Sequence, residues 1–248
     1  MVWNDVYQRG GWRIIPPGEE EVVIYSTGEQ PVRVASGAPF VESMTGNFRI
    51  ELEGGNSEAT WAETATSEAE IAIEAGRLSL SWPVEGGGTA GLHFELNEHD
   101  DLSVYLESSD EGVTGGEISW SCDDSESFFG LGTQSIGLDL RGRTYPLWTQ
   151  EQGIGKPDGG GLFPLNNDPE AAYAPMGIWH SSSGYSAILS TDVYNELDLC
   201  NEEPSRVTLR SYPVLPGVVF VAGESVRSRL VEITERYSGR LTSLPDWA

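Results

Sequence analysis

Short runs of alternating apolar and polar residues recur along most of the chain. Phe48 to Leu52 and Leu78 to Trp82 place an apolar side chain at every second position, which is the period of a strand with one buried face. Turn-forming residues separate these runs at spacings of about 8–12 residues. The pattern predicts an all-β chain folded as an antiparallel β-sandwich rather than an alternating βαβ fold. The predicted strands are Val22–Tyr25, Phe48–Leu52, Ile71–Glu74, Arg77–Trp82, Gly91–Leu96, Leu102–Leu106, Ile118–Trp120, Leu138–Leu140, Tyr185–Ser190, Tyr194–Leu199 and Val207–Ser211.

A helical pattern occurs near the end of the sequence. Between Ser225 and Tyr237, apolar residues recur at helical spacing, with Ser225 suited to the N-cap and Gly239 to the C-cap. We expect one amphipathic helix that connects the sandwich to a following domain. The predicted units are a sandwich over residues 1–222 and a connector with the start of a linker over residues 223–248. Val226, Leu230, Ile233 and Tyr237 are predicted to lie on one face of this helix.

The stretch from Trp148 to Pro175 has almost no strand or helix periodicity. Compact domains seldom carry a structureless loop longer than about 12–15 residues unless it is functional or disordered. This loop contains aromatic side chains together with Glu, Gln, Asn and Lys, and such groups stack on sugar rings and hydrogen-bond to sugar hydroxyls. The composition alone fits a carbohydrate-binding loop but does not single it out. A surface loop with a few aromatic side chains packed beneath it is the alternative.

The charge of the chain narrows the range of partners. There are 39 acidic and 14 basic residues, for a net charge of −25, and Lys156 is the sole lysine. Binding to phosphates requires a basic face, so we expect neither nucleic acid nor an anionic membrane as a partner. An acidic surface keeps a protein soluble through self-repulsion. A salt-rich habitat, in which acidic and lysine-poor surfaces stay hydrated, is the sharper hypothesis.

The cysteines, histidines and acidic clusters predict no cofactor and no metal site. Cys122 and Cys200 lie far apart and match neither a zinc site nor a disulfide framework, so we expect two reduced, buried thiols. Residues 99–101 (HDD) are interpreted as a solvated charge cluster rather than a metal site. Residues 123–126 (DDSE) lack the spaced ligands and the turn glycine of a calcium loop. The first residues lack the basic and apolar segments of a signal peptide. With Met1 as the true start, a cytoplasmic protein is expected.

Two adjoining motifs carry a resemblance to a known family. Phe128 to Gln134 reads FFGLGTQ, and Leu138 to Lys156 reads LDLRGRTYPLWTQEQGIGK. This order resembles the N-terminal domain of glycoside hydrolase family 31, whose pattern is F-Y/F-G-x-G-E/T-Q, then L-x-L-R-G and a loop. The loop version W-T-x-E-Q-G-V/I-G-R/K is similar to that of the sulfoquinovosidase and related α-glucosidase branch. The resemblance covers residues 126–248, and Thr133 stands where many members have Glu.

The resemblance implies a galactose-mutarotase-like β-sandwich followed by a (β/α)8 barrel. Most members are retaining α-glycosidases, and their two catalytic aspartates lie in the barrel. A barrel needs about 250 residues, and no residues remain after Ala248, so the barrel is expected to be missing. No catalytic residue can be carried over to this chain, which is expected to be inactive alone.

The resemblance also assigns roles within the loop. The domain would pack on the barrel and project the loop over the pocket for an α-glucoside or a sulfonated glucoside. Glu151, Gln152 and Lys156 are the predicted substrate-proximal polar groups, and Trp148 is the predicted wall or anchor. A cation at Lys156 would suit an anionic sugar. Asp139 and Arg141, just before the loop, are interpreted as a structural ion pair or turn.

Two other classes of function remain as alternatives. A free-standing carbohydrate-binding module would use the same aromatic residues, but it would leave the connector helix without a purpose. A sugar mutarotase on the same sandwich needs a histidine and a carboxylate that converge. His93, His99 and His180 are scattered in the sequence and lend that alternative little support.

The salt-rich habitat hypothesis has a direct test. If the acidic surface is an adaptation to salt, the melting temperature should rise between low salt and molar KCl, because counterions screen the repulsion among 39 acidic side chains. Differential scanning calorimetry across a KCl series measures this. A melting temperature that does not rise with salt would contradict the hypothesis.

Overall fold

The structure is a computed structural model that describes residues 32–36, 40–45, 49–53, 60–63, 70–74, 77–83, 88–109, 113–134, 136–149, 170–212 and 214–238. Within these ranges, sixteen strands precede one α-helix, α1 (Val226–Ile233), and a π-helical turn (Thr234–Ser238). The strands are β1 (Val32–Ser36), β2 (Phe40–Thr45), β3 (Arg49–Glu53), β4 (Thr60–Glu63), β5 (Glu70–Glu74), β6 (Arg77–Pro83), β7 (Thr89–Leu96), β8 (Leu102–Ser108), β9 (Val113–Ser121), β10 (Phe128–Gly132), β11 (Arg143–Leu147), β12 (Pro175–Ser181), β13 (Tyr185–Leu189), β14 (Tyr194–Leu199), β15 (Arg206–Tyr212) and β16 (Gly217–Ala222).

The strands form two large sheets and one separate hairpin. One sheet has six strands in the order β11-β14-β15-β9-β1-β4, the other has eight in the order β10-β12-β13-β16-β8-β7-β6-β5, and β2 pairs with β3. Side chains alternate between the two faces, so β6 buries Leu78, Leu80 and Trp82. The buried residues of both sheets belong to one apolar core. The prediction of an all-β antiparallel sandwich is confirmed.

Aromatic rings join the two sheets at the centre of this core. The ring of Trp120 on β9 stacks on that of Trp179 on β12, with centroids 6.2 Å apart. The same ring meets Phe220 on β16 edge-on at 5.3 Å. All three side chains are buried. Because each large aromatic side chain buries about 150–250 Å², these contacts hold the six-stranded sheet against the eight-stranded one.

Most of the predicted strands are confirmed where the structure describes them, as β3, β5 to β9 and β13 to β15. Leu138–Leu140 is wrong: these residues form a turn, because the Asp139 carboxylate accepts hydrogen bonds from the backbone of Phe128 and Arg141. Val22–Tyr25 lies outside the described residues. Strand β11 was missed because it contains Pro146, which an edge strand tolerates.

The predicted helix is confirmed, and its predicted apolar face is partly buried on the sandwich, since Ile233 is 3% exposed. Ser225 is the N-cap, and its hydroxyl accepts from the Ser228 amide at 3.1 Å. Leu230 is 44% exposed, whereas Arg229 is 2% exposed. The guanidinium of Arg229 points into the sheet and donates to the carbonyls of Gly223 and Ser181 and to the hydroxyl of Ser186. These polar contacts and the buried side chain of Ile233 together orient α1. The predicted C-cap, Gly239, lies outside the described residues.

The expectation of two reduced thiols is wrong. Cys122 and Cys200 form a disulfide, with their Cα atoms 6.6 Å apart. Cys122 follows β9 and Cys200 follows β14, and both strands run antiparallel to β15, which lies between them. The C-terminal ends of β9 and β14 therefore lie at the same end of the sheet, on either side of β15. The separation of 78 residues in the sequence gave no sign of the bond, because the proximity of the two cysteines depends on the order of strands in the sheet.

A bulge in β10 explains the glycines of the FFGLGTQ motif. Gly130, Leu131 and Gly132 all have positive φ, at 116°, 58° and 81°, and the register with β12 shifts between the two glycines. A Cβ on Gly132 would lie 2.1 Å from the carbonyl oxygen of Ala174. The bulge turns Leu131 into the core, where it is fully buried. The two glycines of the motif are therefore required by the backbone conformation of the bulge.

We expect Gly132→Ala to lower the free energy of unfolding by about 3 kcal/mol or more, because it combines left-handed strain with a clash against backbone. Gly142→Ala is the matched control, since Gly142 has a similar φ of 76° and a Cβ added there would meet nothing within 4 Å. The control should cost about 1–2 kcal/mol. Urea unfolding followed by tryptophan fluorescence measures both. Equal losses would contradict the steric explanation.

Candidate functional site

The predicted site residues are only partly described. Trp148 directly follows β11, at the start of the predicted loop. Glu151, Gln152 and Lys156 lie outside the described residues, so their contact with a substrate stays a prediction. The described structure does define the two chain segments from which this part of the chain departs and to which it returns.

Trp148 is anchored on the outer face of the six-stranded sheet. Leu147 points into the core, so the next side chain points away from it. There the Trp148 ring lies 6.3 Å from the ring of Tyr194 on β14, which lies 6.2 Å from that of Tyr212 on β15. Trp148 is half-buried. These contacts hold the Trp148 ring on the sheet, and its predicted role as a wall or anchor for substrate stays a prediction.

The two ends of the loop are held together at a neck, which we define as Arg143, Trp148, Thr149, Glu170 and Ala172. Thr149 and Ala172 form an isolated parallel β-bridge. Arg143, the first residue of β11, forms an ion pair with Glu170. Ala172 and its neighbour Ala171 are buried. The described residues on the two sides of 150–169 therefore lie next to each other.

The bulged motif of β10 supports the segment that follows the neck. The backbone amide of Thr133 donates to the carbonyl of Ala174 at 3.2 Å, and the Ala174 amide donates to the Thr133 hydroxyl at 3.3 Å. Gln134 donates to the carbonyl of Leu131, and its own side-chain oxygen is buried without a hydrogen-bond partner in the described part of the chain. The threonine that departs from the family pattern thus has a definite structural role.

Asp139 and Arg141 form a structural turn, as interpreted from the sequence. Arg141 donates to the carbonyls of Asp123, Glu126 and Pro204 and contacts the sulfur of Cys122 at 2.8 Å. Although burial opposes it, hydrogen bonds from Ser127 and from backbone amides hold the pKa of Asp139 below its usual value. These contacts fix the segment that leads into β11, the strand that begins with Arg143 of the neck.

The structure brings together a histidine and a carboxylate that sequence reasoning missed. On adjacent strands, His93 Nδ1 lies 2.8 Å from the hydroxyl of Ser79, and Nε2 lies 3.2 Å from the carboxylate of Glu107. The His93 ring packs against Tyr105 at 5.1 Å. Both ring nitrogens already have protein partners, which is typical of a structural histidine. The pairing of β6, β7 and β8 creates this cluster, and local spacing carries no signal for it.

A second set of buried polar side chains lies between the core and α1. Glu126 is 3% exposed and accepts a hydrogen bond from the Ser181 hydroxyl. Tyr185 accepts from the indole of Trp120 at 3.1 Å, and burial followed by the nearby Glu126 raises the pKa of the Tyr185 hydroxyl. The group is a structural network. Among the described residues, no cluster of three or more His, Cys, Asp or Glu side chains is arranged to hold a metal ion.

The fold is thus an antiparallel β-sandwich, and comparison with known proteins relates it to one class of enzymes. No family model matches the sequence. The chain is 27% identical to a sulfoquinovosidase of Agrobacterium fabrum over 236 residues, which are 91% of this chain and 33% of that protein. It is 21% identical to a sulfoquinovosidase of Escherichia coli over 247 residues, 92% of this chain and 34% of that protein.

A solved structure shares the fold. A family 31 sulfoquinovosidase from E. rectale, in complex with the aza-sugar inhibitor IFGSQ, matches with a TM-score of 0.64 and 21% identity, over 93% of this chain and 33% of that chain. The chain therefore spans about a third of the length of these relatives. The resemblance to a family 31 N-terminal domain, stated above from sequence motifs, is confirmed. None of the described helices is long and apolar enough to cross a membrane.

We expect His93 and His180 to titrate below the ordinary histidine pKa of about 6.5. Burial lowers both pKa values, aided by Arg77 at His93 and by Arg229 at His180, while Glu107 opposes the shift at His93. The unfolded chain then takes up protons first as the pH falls, so these two residues remove stability below about pH 6.5. NMR titration of the Hε1 resonances measures the midpoints. A midpoint at or above the ordinary value would contradict the neutral, hydrogen-bonded state.

Proposed function

We propose that this chain is the N-terminal, loop-bearing part of a retaining α-glycosidase that hydrolyses a sulfonated α-glucoside. The observation that carries the proposal is the similarity of more than nine-tenths of the chain to two sulfoquinovosidases. The motif from Trp148 to Lys156 supports the same branch. The cleaving carboxylates of a retaining enzyme act as a nucleophile and an acid/base pair, and in this proposal they belong to a separate catalytic domain.

The contribution of this chain would be to bind and orient the substrate. Glu151 and Gln152 would hydrogen-bond to sugar hydroxyls, and Trp148 would form a wall of the pocket. An anionic sugar is repelled by a chain with a net charge of −25, so a local cation is needed where the sulfonate sits. The ammonium of Lys156, the sole lysine, would supply it.

The exposed side of α1 would pack on the catalytic domain. Leu230 and Val231 are 44% and 37% exposed, and contiguous exposed apolar side chains are typical of an interaction surface. The hydrogen bond from Arg229 to Ser186 holds α1 on the eight-stranded sheet, and Arg236 forms an ion pair with the buried carboxylate of Asp101 at 3.0 Å. The orientation of this apolar pair is therefore set by the sandwich, as a domain contact would require.

The two alternatives gain no support of their own. A mutarotase would need a histidine whose ring nitrogen is free for the sugar, whereas both nitrogens of His93 have protein partners. A free-standing carbohydrate-binding module would leave Leu230 and Val231 exposed to water without a purpose.

The test is to express the complete reading frame that contains this sequence and to measure the release of nitrophenol from nitrophenyl α-sulfoquinovoside and nitrophenyl α-glucoside. We expect the sulfonated substrate to be preferred. Lys156→Ala should lower kcat/KM for it about tenfold or more, since a charge-assisted contact is lost, and should leave the neutral glucoside little changed.

Lys156→Arg is the matched control, because it keeps the charge and should retain most of the activity. Equal effects of Lys156→Ala on both substrates would contradict the role of this residue. A protein that cleaves neither α-glycoside would contradict the proposed function.

A further inference from the structure

One buried hydroxyl group lies between the eight-stranded sheet and α1 and has a partner on each side. Ser186 on β13 is fully buried, and its Oγ atom lies 2.8 Å from Nε of Arg229 and 2.7 Å from Nδ1 of His180. Arg229 on α1 is 2% exposed, and His180 on β12 is 7% exposed. The three side chains therefore form a polar contact between the helix and two adjacent strands of the sheet.

The number of protons in this contact fixes the state of the histidine. Nε of Arg229 carries a hydrogen atom and cannot accept one, so the Ser186 oxygen is the acceptor there. The contact between Ser186 and His180 needs one proton, and the hydroxyl group has one to donate. If Nδ1 carried the proton instead, the hydroxyl proton would have no acceptor among the described residues. His180 is therefore neutral, with its proton on Nε2.

The surroundings of His180 oppose a second proton on the ring. Phe129 on β10 lies opposite His180, and Val221 on β16 lies opposite Ser186, so these two neighbouring strands place no charge there. Burial, followed by the guanidinium of Arg229, lowers the pKa of His180. The other ionisable side chains of these elements face water or contact other groups: Glu224, Arg227 and Glu235 are exposed, Glu232 pairs with Arg236, Glu126 bonds to Ser181 and Tyr185 bonds to Trp120.

Protonation of His180 would change this contact in two ways. Nδ1 would become a donor, so the Ser186 oxygen would face two donors and its own proton would lose its acceptor. The imidazolium would also place a second cation beside Arg229, where burial leaves little water to screen the charges. We propose that His180 is a positioning residue that acts through Ser186 and makes the docking of α1 sensitive to protons: α1 is held at neutral pH and released in acid.

The direction of the effect follows from the protons bound in each state. Release of α1 exposes His180 to water, where its pKa returns to the ordinary value of about 6.5. The docked state binds fewer protons, so docking is fully stable above that value and weakens as the pH falls below it. A single proton limits the change to about tenfold for each pH unit. This behaviour does not depend on the proposed glycosidase activity, because every group involved lies within the described part of the chain.

Hydrogen–deuterium exchange in the protein from the complete reading frame measures the docking of α1 without any substrate. A helix of eight residues is marginal in water, so α1 loses its protection when it leaves the sheet. Protection factors remove the pH dependence of the exchange chemistry itself. Between neutral pH and about pH 5, we expect protection of the peptide 226–233 to fall about tenfold or more. The peptide 206–212, which covers β15, should keep its protection.

His180→Asn is the main test variant, because its side-chain oxygen replaces Nδ1 as the acceptor for the Ser186 proton and does not titrate. We expect this variant to hold α1 at neutral pH and to abolish its release in acid. His93→Asn is the matched control. His93 is also 7% exposed and also lies 2.8 Å from a serine hydroxyl, but its partners, Ser79 and Glu107, lie on β6 and β8 rather than on α1. The control should leave the release of α1 unchanged.

The carboxylate of Asp101, which pairs with Arg236 after α1, is a second titratable group at this end of the chain. It is unchanged in His180→Asn, so release that persists in that variant would overturn the role of His180. Protection of α1 that stays constant down to about pH 5 in the wild-type protein would overturn the proton sensitivity.

Two further measurements do not depend on the behaviour of His180→Asn. Long-range proton–nitrogen NMR spectra of the wild-type protein at neutral pH report which nitrogen of His180 carries the proton, and a proton on Nδ1 would overturn the assignment. Ser186→Ala leaves the buried Nε of Arg229 without its acceptor and should lower the protection of α1 at neutral pH about tenfold. Unchanged protection in Ser186→Ala would overturn the link through this hydroxyl.

Discussion

The packing of Trp120 against Trp179 and Phe220 is the contact on which the rest of the structure depends. It joins the inward faces of the two sheets, with ring centroids 6.2 and 5.3 Å apart. The edge of the sandwich that carries the neck exists only because the sheets are held in this relation: β11 is an edge strand of one sheet, and β12 belongs to the other. A chain that crosses from β11 to β12 must therefore span the edge of the sandwich.

Polar contacts then fix the position of α1 relative to the apolar core. The Trp120 indole donates to Tyr185, and Glu126 and Ser181 continue this buried group towards Arg229 of α1. Burying a charged guanidinium is costly unless its donors are satisfied, and here carbonyls and a hydroxyl satisfy them. The direction of α1 is consequently tied to the core. In the proposed function, this connection sets how a catalytic domain would sit against the sandwich.

Local patterns predicted those parts of the fold that depend on local chemistry. Alternation in Leu78 to Trp82 revealed β6, because one face of the sheet must be apolar, and Ser225 revealed the start of α1, because a hydroxyl satisfies free amides. The same reasoning failed for Leu138–Leu140, where the Asp139 side chain takes the backbone hydrogen bonds that a strand would need. It also gave no sign that Arg229 of α1 is buried, because a long arginine side chain is buried only when acceptors from other segments surround its end.

Sequence alone was enough to establish the all-β class, the helix near the end, the acidic composition and the likeness to a family 31 N-terminal domain, since periodicity, composition and motif order can all be read along the chain. The three-dimensional arrangement was needed to reveal that Cys122 bonds to Cys200, that His93 meets Glu107 and that Arg143 meets Glu170. These pairs depend on which strands are neighbours in a sheet and on where the chain crosses between sheets. The energy of the whole core selects that arrangement, and no short stretch of sequence encodes it.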